Sequence, residues 1–405
     1  KCNTFYVFTH TIQHRAKKFS KNADLLKALF SFAKSIPDYR RTDRGHVIYK
    51  LSDLVLLCII ARLAKSANTR AEIIEFAERN LSAFNRLGLL RKRLPSEATL
   101  CRMEQNIDDN QLSYYASLFA EKFSIEQDDN KLKIIAIDGQ FARGTTQANG
   151  RNPDIISAYS ADQKMTLKTE VCDEKSNEIT AAPKLLEGLN IENCIITADA
   201  MLCQKSFVDA VRNRGGNFVV QVKANQKGLR WSLEDKIKKT KQLDEYTTSY
   251  ELSHGRIMQR TCQTFDGTKL IDDPEKWGHD LTIICVKVVN IEKSTGKTSE
   301  DNRIYISNLQ LSAKDFNDVI REHWSIESMH WSLDTTMCHD ATKRKKVRAA
   351  HNTDTLMRLC LSIMSIWRSR RKKKSDRKIG YTEILRRTND NFTAVMNLLQ
   401  MKMIK

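Results

Sequence analysis

The order of strand-like and helix-like segments between residues 131 and 223 most constrains what this chain can fold into. Five runs rich in β-branched residues predict five strands: IIAID, IISAYSA, MTLKTEV, CIITAD and NFVVQVK. Between the third and fourth runs, KSNEITAAPKLLEGL predicts a helix capped by Ser176 or Asn177. Between the fourth and fifth, AMLCQKSFVDAVRNRGG predicts a second helix that ends at its glycines. Strands that alternate with helices in this way indicate an α/β architecture.

The sequence on either side predicts two further kinds of structure. Residues from about 20 to 125 contain stretches such as LSDLVLLCIIARLAKS, in which apolar residues recur every three or four positions, as they do in helices. After Lys223, short strand-like runs separated by turn-rich stretches predict a β-rich insertion, before the chain returns to helix with SAKDFNDVIREHWSIESMHWSLD. Three strands, a helix, a strand, a helix and a strand form the order of a ribonuclease H-like fold, so we expect the first and fourth strands to be neighbours.

The charge of the chain indicates a polyanionic partner. Lys and Arg total 67 against 49 Asp and Glu, and the formal net charge is +18 at pH 7. Clustered cations gain affinity for nucleic acid by releasing counterions from its phosphates. The basic residues concentrate in KRKKVR, residues 343–348, and RSRRKKKSDRK, residues 368–378. Both segments predict phosphate contacts, and a solvated basic surface is the alternative.

Other features argue against several classes of protein. The longest wholly apolar run, Leu54 to Ala61, is far shorter than a bilayer span, and the first residues lack the apolar core of a signal peptide. We therefore expect no membrane association. The ten cysteines contain no CxxC pair, which predicts reduced thiols in a cytoplasm rather than a disulfide framework or a zinc site.

Two of the predicted strands end in an aspartate. Ile134–Ile137 is followed by Asp138 and Gly139, and CIITA is followed by Asp199. An Asp–Gly pair often does no more than open a turn, and this interpretation stands for Asp138 taken alone. If the first and fourth strands are neighbours, however, the two carboxylates lie side by side and repel each other. A divalent cation such as Mg²⁺ removes that repulsion.

A third carboxylate is expected on the helix that contains HWSIESMHWSLD, residues 323–334. One face of this helix carries four residues spaced four, three and four positions apart: His323, Glu327, His330 and Asp334. A solvated stripe on a surface helix would show the same spacing, but the two tryptophans in the segment favour burial. Glu327 is the first candidate for the third carboxylate and Asp334 the second.

Taken together, these stretches resemble the DDE transposases of bacterial insertion sequences, especially the branch that includes the H-repeat proteins of Rhs elements. The resemblance lies in stretches that run in order from about residue 135 to 340: IAIDGQFARG, CDEKSNEITAAPKLL, ITADAMLCQK, FVVQVKANQ, HGRI, YISNL and HWSIESMHWSLD. The helical region before them resembles the N-terminal domain associated with that branch. Each stretch alone is a weak signal, but the ordered set is highly specific.

The resemblance implies an enzyme that cleaves and joins DNA strands at the ends of a mobile element. Asp138, Asp199 and Glu327 would form its DDE triad and hold two Mg²⁺ or Mn²⁺ ions, which activate the attacking oxygen and stabilise the leaving one. The partners implied are double-stranded DNA, as terminal inverted repeats and as target, and further copies of the chain in a homodimer or larger assembly. The compartment implied is the cytoplasm of a prokaryote.

We expect an α/β chain divided into a ribonuclease H-like catalytic domain, a β-rich insertion and an all-helical N-terminal domain. The expected bounds are 1–125 for the helical, DNA-binding domain, 131–223 and 309–367 for the two parts of the catalytic domain, 224–308 for the insertion, and 368–405 for a basic C-terminal tail and helix.

One departure from the family pattern concerns the residues around Glu327. Related families carry Tyr and Arg seven and four positions before this Glu and Lys seven positions after it, where this chain has Ile320, His323 and Asp334. Arg321 and His323 are the candidates to replace that signature. The residues expected to contact DNA, with ordinary surface positions as the alternative, are Arg143, Lys175, Lys223, Asn225, Gln226, His254, Arg256, Arg321, His323, His330, Lys343, Arg344, Lys345, Lys346 and Arg348.

Three other functions fit parts of the same pattern. A DNA-binding protein that keeps the fold without catalysis would retain the basic segments, although the intact carboxylates disfavour it. A metal-dependent nuclease of the same fold would cut DNA without joining it. A helical di-metal oxidoreductase would use Glu327-x-x-His330, but it needs a second such motif, which the sequence lacks.

Overall fold

The computed structural model describes residues 24–43, 45, 47–65, 69–91, 93–123, 133–147, 149–172, 178–253, 255–273 and 277–404. The region predicted to be helical forms α1 Leu25–Ser35, α2 Leu51–Leu63, α3 Arg70–Arg79, α4 Leu81–Arg86, α5 Glu97–Asn106 and α6 Asp109–Phe123. Polar side chains fix where these helices begin. Thr69 and Glu72 form a capping box on α3, and the Ser96 hydroxyl accepts a hydrogen bond from the N–H of Thr99 on α5.

The five predicted strands are present. They are β1 Lys133–Phe141, β2 Asp154–Ser160, β3 Met165–Val171, β4 Cys194–Ala198 and β5 Asn217–Val222. Helix α7 Glu178–Leu186 lies between β3 and β4, and α8 Lys205–Arg212 lies between β4 and β5. The cap residues predicted for α7, Ser176 and Asn177, lie outside the described residues.

These strands form one mixed sheet in the order β3-β2-β1-β4-β5. β1 pairs antiparallel with β2 and parallel with β4, so the first and fourth strands are neighbours, as predicted. In the β1–β4 register, Ile137 lies opposite Ala198. The next residue is an aspartate in each case, Asp138 within β1 and Asp199 directly after β4, so the two aspartates lie at corresponding positions of neighbouring interior strands.

The segment predicted as a β-rich insertion extends this same sheet. It contributes β6 Asp244–Thr247, β7 Glu251–Ser253, β8 Arg256–Asp266, β9 Thr282–Glu292 and β10 Thr298–Ser307. β10 pairs antiparallel with β5, and β9, β8 and β6 follow outward, with β7 paired to β8. The segment also contains α9 Lys227–Lys239 and the short α10 Gly267–Leu270, which the sequence pattern did not predict. In α9 only Leu233 is buried, so its apolar stripe is too narrow to reveal a helix.

Two long helices connect the sheet to the N-terminal helices. Helix α11 Ala313–Thr336 begins at the Ser312 cap and packs on β1 and β4. Helix α12 Val347–Ser369 is buried over nearly its whole length, because it packs against β3 as well as α2, α5 and α6. α13 Tyr381–Thr388 and α14 Phe392–Leu399 follow. One apolar core therefore contains residues from both ends of the chain, including Leu29, Phe76, Trp367 and Leu398.

A second apolar core lies beneath α7, α8 and α9 and contains Phe207 and Phe218. The cysteines among the described residues are all free thiols. Within the described part of the chain, no helix combines the length and apolar character that crossing a bilayer requires.

Candidate active site

Asp138 and Asp199 reach one pocket from adjacent strands. Asp138 lies on β1 opposite Ser157, and Asp199 directly follows β4. The Oδ1 atom of Asp199 accepts a hydrogen bond of 2.9 Å from the N–H of Met201, the second residue of a short 3₁₀ turn. This cap fixes the direction of the Asp199 side chain at the end of its strand.

Glu327 faces the two aspartates from α11. The three carboxylates line a single pocket of about 120 Å³. Other polar and aromatic residues of its lining are Thr197, Gln221, Lys223, Tyr305, His323 and Trp324. Asp334, the second candidate for the third carboxylate, lies two turns further along α11 and does not line this pocket. The structure thus brings together the three residues that the sequence selected first.

The described side chains leave most of the negative charge of these carboxylates uncompensated. Among the described residues, no Lys or Arg forms an ion pair with Asp138, Asp199 or Glu327, and Lys223 is the only Lys or Arg in the pocket lining. Burial and the negative charges of Asp199 and Glu327 raise the pKa of Asp138 to about 7. The pocket therefore has a negative charge that favours binding of a cation from solvent.

Two buried histidines lie beside the carboxylates. The Nδ1 atom of His323 lies 3.0 Å from the hydroxyl oxygen of Thr197, and that of His330 lies 3.5 Å from Oδ2 of Asp138. Burial lowers the pKa of His323 to about 4 and, together with the charge of Arg358, lowers that of His330 to about 3. At neutral pH both rings are uncharged, so they position neighbouring groups without cancelling the negative charge.

Two further carboxyl groups lie behind the pocket. Asp154 of β2 and Glu178 of α7 share a hydrogen bond, and a Cβ atom on Gly139 would collide with the Glu178 carboxyl group. The close approach explains the glycine after Asp138. Burial and the charges of Asp154 and Asp138 raise the pKa of Glu178 to about 8. Sequence reasoning missed this pair, although Glu178 lies in one of the stretches that carry the family resemblance.

Three residues predicted to contact DNA lie around the loops at the strand ends. Lys223 follows β5 and lines the pocket. Asn225 donates a hydrogen bond to the carbonyl of Ala200, and Gln226 donates one of 2.9 Å to the carbonyl of Cys203. These two amides hold the loop that follows Asp199.

Other predicted DNA contacts lie elsewhere on the molecule. Arg143 is exposed and pairs with Asp340 at 2.9 Å, whereas Arg321 pairs with Glu251 of the insertion at 2.6 Å. Arg256 begins β8 and is exposed. Two more predicted contacts, Lys175 and His254, lie outside the described residues.

The basic segment 343–348 contains both exposed and buried cations. Lys343, Lys345, Lys346 and Arg348 are exposed. Arg344 is buried and forms an ion pair of 2.9 Å with Glu104, which is itself buried. Its guanidinium group is held by this buried ion pair, so Arg344 is not available for the predicted phosphate contact.

The basic segment 368–378 likewise contains both buried and exposed cations. Arg371 is buried and donates hydrogen bonds to the carbonyls of Trp367 and Met401, and Arg368 donates one to the carbonyl of Ile379. Lys372, Lys373 and Lys374 are exposed.

Comparison with known proteins identifies the family. Residues 129–364 match the family described as "Transposase DDE domain", and residues 30–119 match the one described as "DDE_Tnp_1-associated". The chain belongs to the DDE transposase family. The first match spans β1 to most of α12 and includes all three pocket carboxylates, whereas the second covers most of the N-terminal helices.

Relatives in Escherichia coli agree with this family and with the H-repeat branch. The chain is 32% identical to "Putative transposase YncI" of strain O157:H7, over 84% of this chain and 87% of that protein. It is 34% identical to "H repeat-associated putative transposase YhhI" of strain K12, over 84% of this chain and 91% of that protein. Among solved structures, a piggyBac transposase synaptic complex with hairpin DNA has a TM-score of 0.46 at 11% identity, covering 93% of this chain and 80% of that one.

Proposed function

We propose that this chain is an active DNA transposase with a ribonuclease H-like catalytic domain. It cleaves phosphodiester bonds at the ends of its element and joins the freed 3′ ends to target DNA. Asp138, Asp199 and Glu327 are the catalytic carboxylates. The observation that carries the proposal is their convergence in one pocket beside β1 and β4, where no Lys or Arg of the described residues forms an ion pair with them.

The donor set fits a hard divalent cation. Carboxylate oxygens are the ligands that Mg²⁺ and Mn²⁺ prefer. The raised pKa of Asp138 is a cost of holding three acidic groups close together, and a bound cation would relieve it. When bound, two such ions supply activation of the attacking oxygen and stabilisation of the leaving oxygen. The residues that would hold them are Asp138, Asp199 and Glu327.

Other residues of the pocket orient the substrate and the carboxylates. Lys223 lies at the end of β5 and can bind a phosphate oxygen beside the acidic group. The neutral ring of His330 sits against Asp138 and limits the positions of that carboxylate. Trp324 is 42% exposed at the pocket and offers an aromatic face to an unpaired base.

Double-stranded DNA is the proposed partner, both as inverted repeats at the element ends and as target. The formal charge of +18 supports it, together with the exposed cations of residues 343–348 and 372–374. Because two element ends have to be held together for joining, we propose that a homodimer or a larger assembly acts on DNA.

The test is a strand-cleavage assay run beside a gel-shift assay on the same end-bearing duplex, with Mg²⁺ or Mn²⁺. Asp199→Asn and Glu327→Gln should abolish cleavage, because each removes a metal-binding charge while nearly preserving shape. DNA binding should persist or strengthen, since repulsion of the phosphates falls. Cleavage by the variants at the wild-type rate would refute the assigned triad. Circular dichroism identifies any variant that loses both abilities because it is misfolded.

A second candidate is a DNA-binding protein without strand cleavage. Its support is the absence of the Tyr, Arg and Lys signature, which Ile320, His323 and Asp334 replace. Burial of His323 against Thr197 lowers its pKa to about 4, and an uncharged ring at the position where related families have Arg supports this candidate. Wild-type protein that binds element ends but never cuts them with either metal would favour this candidate.

A further inference from the structure

A second group of potential metal ligands lies beyond the catalytic pocket. Asp334, His339 and Asp340, which we call the His339 cluster, each offer a ligand atom, and these atoms lie within 4.8 Å of one another. The cluster sits at the end of α11 and in the turn that follows it. A hydrogen bond of 2.9 Å from Gln140 to Oδ1 of Asp334 joins it to β1, two residues beyond Asp138.

The orientation of the His339 ring points to a ligand. Its side chain is only 5% exposed, and its Nε2 atom lies 3.2 Å from Oδ1 of Asp354. Asp354 is fully buried and is held by Arg358 at 2.8 Å. An imidazole fixed through one nitrogen by a buried carboxylate, with the other nitrogen open, is the usual arrangement of a metal-binding histidine.

The open nitrogen faces the two other members of the cluster. Nδ1 of His339 is buried and has no hydrogen-bond partner; Oδ1 of Asp334 lies 3.7 Å away, too far for a hydrogen bond but close enough for an ion pair when the ring is protonated, a proton that a bound metal ion would replace. His351 is equally buried, yet its two nitrogens have partners at 3.0 Å in Asp109 and at 2.9 Å in Thr169. Nε2 of the buried His330 is unpaired as well, so the unpaired nitrogen of His339 points to a ligand only together with the two carboxylates beside it.

Asp340, the third member of the His339 cluster, is partly accessible to solvent. Asp340 is 32% exposed and pairs with Arg143, whose side chain is 69% exposed. An exposed ion pair of this kind contributes little free energy, so the guanidinium group can give way to a cation. The turn that precedes Asp340 has Cys338 in the left-handed region, at φ 53°, and the N–H of His339 donates to the carbonyl of Leu333 at 3.0 Å. This geometry folds the turn back onto the end of α11.

We propose that Asp334, His339 and Asp340 bind one divalent transition-metal ion, such as Zn²⁺, outside the catalytic pocket. One imidazole and two carboxylates form a donor set that suits Zn²⁺ and Co²⁺ better than Mg²⁺. The ion would fasten the end of α11, which carries Glu327, to the turn before α12. Its role is to position that helix, and the site exists whether or not the chain cleaves DNA.

The test measures Co²⁺ binding to the metal-free full-length chain by visible absorption and calorimetry. The background carries Asp138→Asn, Asp199→Asn and Glu327→Gln, so that the catalytic carboxylates cannot bind the probe ion. We expect one Co²⁺ per chain and a rise in the thermal midpoint. His339→Gln and Asp340→Asn should each weaken binding by at least about tenfold, since each removes a ligand.

Asp318→Asn is the matched control, because Asp318 is an exposed aspartate on the same helix, paired with Lys314. It should leave the Co²⁺ affinity unchanged. Unchanged Co²⁺ affinity in both His339→Gln and Asp340→Asn would overturn the proposal, as would failure of the background protein to bind Co²⁺. If His339→Gln does not fold, Asp340→Asn decides the question, since its side chain is partly exposed.

Discussion

The pocket of Asp138, Asp199 and Glu327 and the interface around α12 both bury carboxylates, but the two regions differ in the counter-charges that surround them. At α12, Glu104 pairs with Arg344 at 2.9 Å and with Arg70 at 2.6 Å, and Asp354 pairs with Arg358 at 2.8 Å. Burial alone would raise the pKa of Asp354, but Arg358 and His339 hold it well below its ordinary value. In the pocket, by contrast, the pKa of Asp138 is raised.

The difference lies in the source of the positive charge that each group of carboxylates needs. Around α12 the counter-charge comes from the chain itself, so the buried groups join the N-terminal helices to the sheet. In the pocket the described lining offers only Lys223 as a cation, and Lys223 forms no ion pair with the three carboxylates. The free energy spent on holding Asp138, Asp199 and Glu327 together therefore becomes free energy available for binding a cation.

The largest effect on stability should come from breaking a pair at α12. Arg358→Met removes one of the two partners of Asp354 and leaves this buried carboxylate with His339 alone, which should lower the free energy of unfolding by about 3–5 kcal/mol. Urea unfolding followed by circular dichroism measures it. Arg386→Met, which removes an exposed partner of Glu383, is the control and should leave the midpoint unchanged. Equal losses of unfolding free energy in Arg358→Met and Arg386→Met would contradict the view that the buried ion pairs at α12 hold the structure together.

A substitution in the pocket should act in the opposite direction. Asp138→Asn removes a charge that burial and two neighbouring carboxylates disfavour, so it should stabilise the metal-free protein by about 1–2 kcal/mol at pH 8. Thermal unfolding in the presence of a chelator measures this gain. A loss of stability at that pH would mean that the pocket is not electrostatically strained.

The pH dependence of stability should reflect the raised pKa values of the carboxyl groups in and behind the pocket. The pKa values of Asp138 and Glu178 are about 7 and 8 in the folded protein, against 3.8 and 4.5 unperturbed. The folded state therefore keeps protons that the unfolded state releases, and metal-free stability should fall as pH rises from about 4 to about 8. Thermal midpoints across this range should show a shallower fall in Glu178→Gln. A wild-type midpoint that rises throughout would contradict this expectation.

Titration of His339 should also lower the stability of the metal-free protein as pH rises. Burial lowers its pKa, but the carboxylates of Asp334 and Asp354 outweigh burial and raise it to about 9, against 6.5 unperturbed. Its contribution to stability should be complete below pH 6.5 and should disappear as pH rises through 9. In His339→Gln the fall between pH 7 and pH 9 should therefore be smaller than in wild type.

The smallest expected effect is on DNA affinity, where the exposed lysines of residues 343–348 should behave differently from the buried Arg344. Changing the exposed Lys345 and Lys346 to Gln should weaken binding and reduce the slope of log affinity against log salt by about 1–2, with little effect on stability. Arg344→Gln should instead destabilise the protein, because Arg344 pairs with Glu104. Salt-dependent gel shifts and thermal unfolding of both variants test this contrast. An unchanged slope in the double lysine variant would mean that these residues are only solvated.

The sequence predicts the residues of the pocket better than it predicts the ion pairs around α12. Asp138 and Asp199 follow apolar strands, and Glu327 lies on a helix with a recognisable polar face, so local patterns and the family resemblance identified all three. Glu104 and Arg344 lie far apart in the chain, and no local pattern reveals that they meet. The same holds for Asp154 and Glu178, whose proximity depends on how α7 packs against β2.

The central claim is that the three pocket carboxylates bind a cation that the protein does not supply. Its most direct test is the Mg²⁺-dependent shift of the thermal midpoint in wild type, Asp138→Asn, Asp199→Asn, Glu327→Gln and the control Asp318→Asn. We predict that Mg²⁺ stabilises wild type and the control, and that each pocket substitution removes most of the shift. Stabilisation of the three pocket variants to the same extent as wild type would contradict the claim.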